Sequence, residues 1–277
     1  MIGAYTNFVL CKIDRKITIF IHIKIKIKQF LANMPSILII GASRGIGKQW
    51  IHHYLKKTNP NFQIFATCRN PDKDLIEFNG NDQVKILKLD IGNDECISQL
   101  KNSQVLPEKL DICVLNAGIL YRDTCLDEAN TKDMIDMYNV NSIGPIRVAQ
   151  GLQNRINFKN CKFLLTSSIA GSCGTAYDGK MPIDKNIGYR MSKSAANMSG
   201  LVINKTLVNT TVGIIHPGFV QTDMTSWMPG GLGTVLPGVG AMISPEESVD
   251  KMDKVLGNLD ENNSGKYWHY EGHELPW

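Results

Sequence analysis

From Pro35 onward, short apolar runs alternate with longer stretches in which apolar and polar residues recur at helical spacing. The runs ILII (37–40), QIFAT (63–67), VKILKL (84–89), DICVL (111–115), KFLLT (162–166) and VGIIH (212–216) have strand length and are almost continuously apolar. That is the pattern of strands covered on both faces. Between them, helices are expected near 46–57, 93–103, 131–155, 188–207 and 245–257. The last opens with SPEE, a serine cap followed by proline at the first helical position and acids in the first turn. Such alternation implies an α/β fold, a parallel sheet with helices on both faces and right-handed crossovers.

No internal repeat and no Pro/Gly-rich linker cuts the body, so residues 34–277 are expected to form one domain. The Gly/Pro-rich stretch WMPGGLGTVLPGVGAMI (227–243) follows the sixth run and is too long for a simple connection. Its position after the C-terminal end of a strand, where ligands bind in open α/β sheets, makes a lid the expectation. Residues 1–33 read differently. Isoleucines at 17, 19, 21, 23, 25 and 27 alternate with Thr18, Phe20, His22 and three lysines, the period of a one-faced strand. The segment lacks the uninterrupted apolar core of a signal peptide or a spanning helix, and it lacks the Arg- and Ser-rich helical character of a mitochondrial presequence. It is expected to be an extension outside the fold, with Met34 the working start.

Composition narrows the partners. With 43% hydrophobic and 20% charged residues the chain can build a sizeable core. Its formal charge is +4, but residues 1–33 hold six cations against Asp14 alone, which leaves the body at −1. The body therefore has no basic excess with which to hold nucleic acid. Seven scattered cysteines, odd in number and without C-x-x-C spacing, suggest free thiols in a reducing, cytoplasmic setting, with no metal site. The strings NKT (204–206) and NTT (209–211) match a glycosylation pattern that no secretory signal exposes. His216 and His269 read as strand-end residues, and Met224, Trp227 and Met228 as either an apolar substrate wall or stray packing residues.

Two features carry chemistry. IIGASRGIGKQW places Gly41, Gly45 and Gly47 after the first strand and at the mouth of a helix. Glycines there permit a tight turn, let backbone N–H groups approach a pyrophosphate and aim a helix N-terminus at negative charge. The loop lacks the G-K-[ST] of a Walker motif. GYRMSK (188–193) sets Tyr189 and Lys193 one helical turn apart. Tyr189 alone among the eight tyrosines has a lysine four residues later.

Further strings follow in a fixed order: LDI at 89–91, LNAG at 115–118, NVN at 139–141, LTSSIAG at 165–171 with Ser168 directly before IAG, GYRMSK, and HPGFVQTD from 216. Together with the glycine loop they resemble the short-chain dehydrogenase/reductase family over residues 34–277. The sequence ATCRNP, the insertion between Ser168 and Tyr189 and the ending HYEGHELPW are most similar to the C-factor and sniffer-type carbonyl reductases. The resemblance implies a doubly wound, Rossmann-type parallel sheet of about seven strands in a single domain. It implies a catalytic group of Asn141, Ser168, Tyr189 and Lys193. Contacts to NADP(H) are implied at Gly41, Ser43, Arg44, Gly45, Ile46 and Gly47, at Arg69, at Asp90 and Ile91, and at Asn116, Ala117 and Gly118. They are completed by Tyr189, Lys193, Pro217, Gly218, Val220 and Thr222. The chain departs from the pattern at Ile40, where the family commonly has Thr, at Leu115, and in the twenty residues that separate Ser168 from Tyr189.

Hydride transfer from a nicotinamide to a carbonyl leaves an alkoxide that needs a proton. Tyr189 is the expected acid/base, its pKa lowered by the Lys193 ammonium and an oxidised nicotinamide together, with Ser168 on the substrate oxygen and Asn141 maintaining a water or backbone relay to Lys193. At the end of the second strand, an NAD enzyme places a carboxylate on the ribose hydroxyls. Here stand neutral Cys68 and Arg69, with Arg44 expected to reach the same pocket, which favours the 2′-phosphate of NADP. The expected activity is reduction of a small carbonyl compound or oxidation of an alcohol by a homo-oligomer that engages neither nucleic acid nor membrane. The rival is a dinucleotide-binding redox sensor or signalling protein without turnover.

Overall fold

The computed structural model describes residues 34–277 except 124, 157–159, 180–184, 229 and 237. The expected extension, residues 1–33, lies outside the described residues. In chain order the elements are β1 (Ser36–Ile40), α1 (Gly45–Lys56), β2 (Gln63–Cys68), α2 (Pro71–Asp74), β3 (Val84–Lys88), α3 (Glu95–Lys101), β4 (Ile112–Leu115) and α4 (Thr131–Tyr138). They continue with α5 (Gly144–Ile156), β5 (Cys161–Thr166), α6 (Cys173–Tyr177), α7 (Ile187–Thr206), β6 (Thr210–His216), β7 (Phe219–Val220), β8 (Val235–Leu236), β9 (Gly240–Ile243), α8 (Pro245–Asn258) and β10 (Lys266–His269).

Seven strands form one parallel sheet in the order β10-β6-β5-β4-β1-β2-β3. The order reverses direction between β1 and β4, so the chain winds outward twice from the centre. All six expected runs are strands of this sheet. Every residue of β1 is buried, as the unbroken apolar run requires. Helix α1 covers one face with α8, packing Trp50, Ile51 and Tyr54 near Val249, Met252 and Leu256. Helices α3, α5 and α7 cover the other, around Leu100, Val148, Leu152 and Ile203. Full burial of one such side chain contributes roughly 1.5–3 kcal/mol, so this packing, rather than local propensity, fixes the elements that carry the site.

The structure departs from expectation in three places. The seventh strand, β10, came from no apolar run. Its KYWH alternates and only Tyr267 is fully buried, as suits a sheet edge. The helix expected over 131–155 is interrupted by a π-turn at Asn139–Ile143. Pro145 has no N–H for the Asn141 carbonyl, and the Gly144 N–H instead reaches Asn139 O, slipping the ladder by one residue. The stretch 227–243 contributes β8 and β9 to a second, three-stranded sheet in the order β7-β9-β8, with β7 drawn from Phe219–Val220.

Candidate active site

Where the strand order reverses, β1 ends and the chain turns through Gly41, whose φ of +82° suits glycine. A Cβ there would lie 2.6 Å from Ala117 Cα, and a Cβ on Gly47 would lie 2.0 Å from Gly41 O. The loop therefore folds back on itself only because these positions lack side chains. Asn116 braces it by donating from Nδ2 to Gly41 O at 3.1 Å. Thr67 of β2 accepts from Gly41 N–H at 3.3 Å through its hydroxyl, so a neighbouring strand supplies a bond that Ile40 cannot. Helix α1 starts here with no side-chain cap and no acid in its first turn. Its first N–H groups are left for an anion.

The catalytic candidates come from three elements. The π-turn buries Asn141, whose Oδ1 accepts from Ile119 N–H at 2.8 Å while Nδ2 donates to Ile119 O at 2.8 Å and Ser192 Oγ at 2.9 Å. Asn141 thus clamps the segment after β4 to α7 next to Lys193, rather than bonding the ammonium itself. Lys193 is 4% exposed and donates to Thr166 O at 3.1 Å. Its Nζ lies 5.7 Å from the Tyr189 ring centroid. Ser168 begins the turn after β5, accepts from Ala170 N–H at 3.2 Å and hydrogen-bonds the Tyr189 phenol.

The electrostatics correct one expectation. Burial pushes the Tyr189 phenol up to about 12, with the Ser168 hydrogen bond pulling the other way. Burial also lowers Lys193 to about 8. The ammonium does not bring Tyr189 below its ordinary value, because the apolar surroundings that hold the pair penalise both charged forms.

One cleft, with an empty volume of about 1170 Å³ including open solvent, joins these parts. Gly41, Ser43, Arg44, Gly45 and Ile46 line it, as do Arg69, Asp90, Ile91, Asn116, Ala117, Gly118, Tyr189, Lys193, Pro217 and Thr222. Gly47, Asn141, Ser168, Gly218 and Val220 stand behind this lining. Val220 pairs with Ile243 in the small sheet. Gly218, at φ +89°, lies under Tyr270, which a Cβ would approach to 2.8 Å. At the outer end, burial first, then Asp74, raises the Cys68 thiol, so it is neutral. Arg69 and Arg44 face the cleft as expected, but the Arg44 guanidinium is also paired with Asp223 Oδ2 at 3.1 Å.

Several contributors escaped the sequence reading. Asp123 is buried and accepts from Ile187 N–H at 2.8 Å, capping the helix that carries Tyr189, where Asn186 is left-handed and provides no side-chain cap. No local pattern links an Asp to a helix start 64 residues away. Thr166 and Ser192 act through backbone and side-chain contacts that only the fold brings together. Arg122 stacks its guanidinium 3.8 Å above the Trp227 ring, joining the segment after β4 to the expected lid. All six described cysteines, Cys68, Cys96, Cys113, Cys125, Cys161 and Cys173, are free. Among the described residues no helix is long and apolar enough to cross a membrane.

The profile of the short chain dehydrogenase family matches residues 35–229. An NADPH-bound carbonyl reductase from chicken fatty liver is 29% identical with a TM-score of 0.73, covering 88% of this chain and 99% of that one. The carbonyl reductase Sniffer of D. melanogaster, at 24% identity, shares the fold with a TM-score of 0.73 over 88% of this chain and 100% of its own. The C-signal of Myxococcus xanthus is 30% identical over 178 residues, 61% of this chain and 93% of that protein.

Proposed function

The chain belongs to the short-chain dehydrogenase family, and from that premise we propose that it is an NADPH-dependent reductase of small carbonyl compounds. The observation that carries this reading is that Tyr189 and Lys193 line the cleft that begins at the glycine loop, with Ser168 hydrogen-bonded to the Tyr189 phenol.

The cleft fits the dinucleotide on its own features. The glycine turn that a Cβ would fill and the uncapped start of α1 suit a pyrophosphate. The end of β2 offers a neutral thiol and Arg69 where a carboxylate would read a ribose hydroxyl. Asp90 and Ile91 would flank the adenine, Asn116, Ala117 and Gly118 the middle of the molecule, and Pro217, Gly218, Val220 and Thr222 its nicotinamide end. When bound, NADPH supplies the hydride.

The protein supplies the proton and the alignment. With its phenol raised to about 12, Tyr189 holds its proton throughout the neutral range and can donate it from Oη to the substrate oxygen as negative charge develops there. Ser168 turns its single hydroxyl proton from that phenol to the substrate oxygen, giving the oxygen a second hydrogen bond that orients it. Lys193 retains its charge below about 8. It stabilises the phenolate left behind and binds the nicotinamide ribose. Asn141 sets the register of α7 against Ile119, so that both residues meet the cleft.

The expected setting is the cytoplasm, with a small carbonyl or alcohol as substrate and a second copy of the chain as partner. Exposed Met191, Met198 and Val202 repeat along one face of α7 and support self-association there. The test is NADPH consumption by the purified protein over a panel of aldehydes and ketones. Turnover of at least one class is expected. Tight NADPH binding without turnover of any would favour the sensor reading instead.

A further inference from the structure

The C-terminal turn after β10 gathers side chains that the reductase reading does not use. It is closed by His269 N–H donating to His273 O at 2.8 Å and Gly272 N–H donating to His269 O at 2.9 Å. This folds His269, Glu271 and His273 so that one ligand atom of each lies within 4.8 Å of the others. His269 Nδ1, which accepts only a long 3.4 Å bond from Glu271 N–H, stands 3.6 Å from Glu271 Oε2, close to the ~3.3 Å that separates two donors of a tetrahedral ion with bonds of ~2.0–2.1 Å. Lys251 Nζ holds the other carboxylate oxygen, Oε1, at 3.2 Å, which leaves Oε2 facing the imidazoles.

A second observation comes from the adjacent strand. His216, the register partner of His269, is 3% exposed, and neither of its ring nitrogens has a hydrogen-bond partner. Its ring centroid lies 5.4 Å from that of His269. Buried polar atoms in native proteins are nearly always satisfied, so an imidazole without partners behind His269 marks a place whose polar demand the protein alone does not meet.

We propose that His269, Glu271 and His273 form a binding site for a divalent transition metal of the zinc class, three donors with a fourth position open to solvent and the buried His216 packed behind His269. Imidazole nitrogens with a single carboxylate suit zinc, nickel or copper. Calcium and magnesium prefer oxygen cages. Glu271 and His273 are exposed and provide the entry path. The His273 ring stacks on His269 at 4.3 Å and 25°. The role is structural. Tyr270 of the same turn covers Gly218, so an ion that stiffens the turn also braces the wall of the cleft.

The full chain, stripped with chelator, is titrated with zinc alone by calorimetry and with cobalt alone by visible absorption. One equivalent of zinc per chain should bind and raise the melting temperature, and chelator should reverse the shift. The cobalt spectrum should show nitrogen and oxygen donors without a thiolate charge-transfer band. Both signals should be lost in His273→Ala and Glu271→Gln, exposed changes that the fold tolerates. Unchanged binding in these two variants, a thiolate band that implicates Cys125 or Cys173, or no binding at all would overturn the assignment. None of these readings depends on carbonyl turnover.

Discussion

The two ends of the cleft are built by opposite means. At the nucleotide end, backbone does most of the work: glycines that leave room for close approach, an uncapped helix start, and cations at the surface. Arg44 and its partner Asp223 keep 68% and 70% of their side chains exposed. At the reacting end, side chains are withdrawn from water. Lys193 is 4% exposed, Asn141 2%, and the Tyr189 phenol is displaced upward by its surroundings. Surface cations can select a charged ligand without changing their own protonation, because solvent screens them. A proton donor needs the reverse, since burial holds its proton until chemistry calls for it. Damage at the two ends should therefore show in different measured quantities.

The largest break should come at the reacting end. Tyr189→Phe is expected to lower kcat by at least ~100-fold, the usual scale of one general acid. NADPH affinity in a binding titration should stay near that of the parent. At the nucleotide end, Arg69→Ala combined with Cys68→Asp should weaken NADPH roughly ten- to a hundredfold, the consequence of losing a charge-assisted contact of about 1.5–3 kcal/mol. NADH should then become the preferred cofactor in steady-state assays. Equal loss for both cofactors would mean that these residues support the fold.

A smaller effect sharpens the contrast through pH. Burial lowers Lys193 from 10.5 to about 8 in the folded protein, so reduction should decline as pH rises through 8, while Tyr189 stays protonated. Between 8 and 10.5 the unfolded chain binds the extra proton, and the Lys193 contribution to stability rises with pH in that window. A kcat profile of parent and Lys193→Ala checks this, because the variant should lose the step near 8. The smallest change is expected at the entrance. Trp227→Ala removes the stack with Arg122 and should alter KM about two- to fivefold, given ~0.5–1 kcal/mol for an exposed cation–π contact, with kcat nearly unchanged.

The nucleotide end was the more legible in sequence. Glycines 41, 45 and 47 announce a backbone geometry by themselves, and five strands announce themselves by nearly unbroken apolar runs; the edge strand β3 shows Val84, Ile86 and Leu87 interspersed with lysines. Strand β10 did not, because its KYWH offers a single fully buried residue, Tyr267. Asp123 and Thr166 were invisible because their roles depend on contacts between elements far apart in the chain. The pair Tyr189 and Lys193 was visible as spacing, but the direction of the Tyr189 shift was not. Spacing shows how near a charge lies, whereas burial depends on everything packed around it.

The central claim is that binding and proton transfer are divided between the two ends. The most direct test measures NADPH dissociation constants and kcat side by side for the parent, Tyr189→Phe and the Cys68→Asp/Arg69→Ala pair. The account predicts that the first variant loses turnover alone and the pair loses NADPH affinity alone. Joint loss of affinity and turnover in Tyr189→Phe, or turnover in that variant near the parent's, would contradict it.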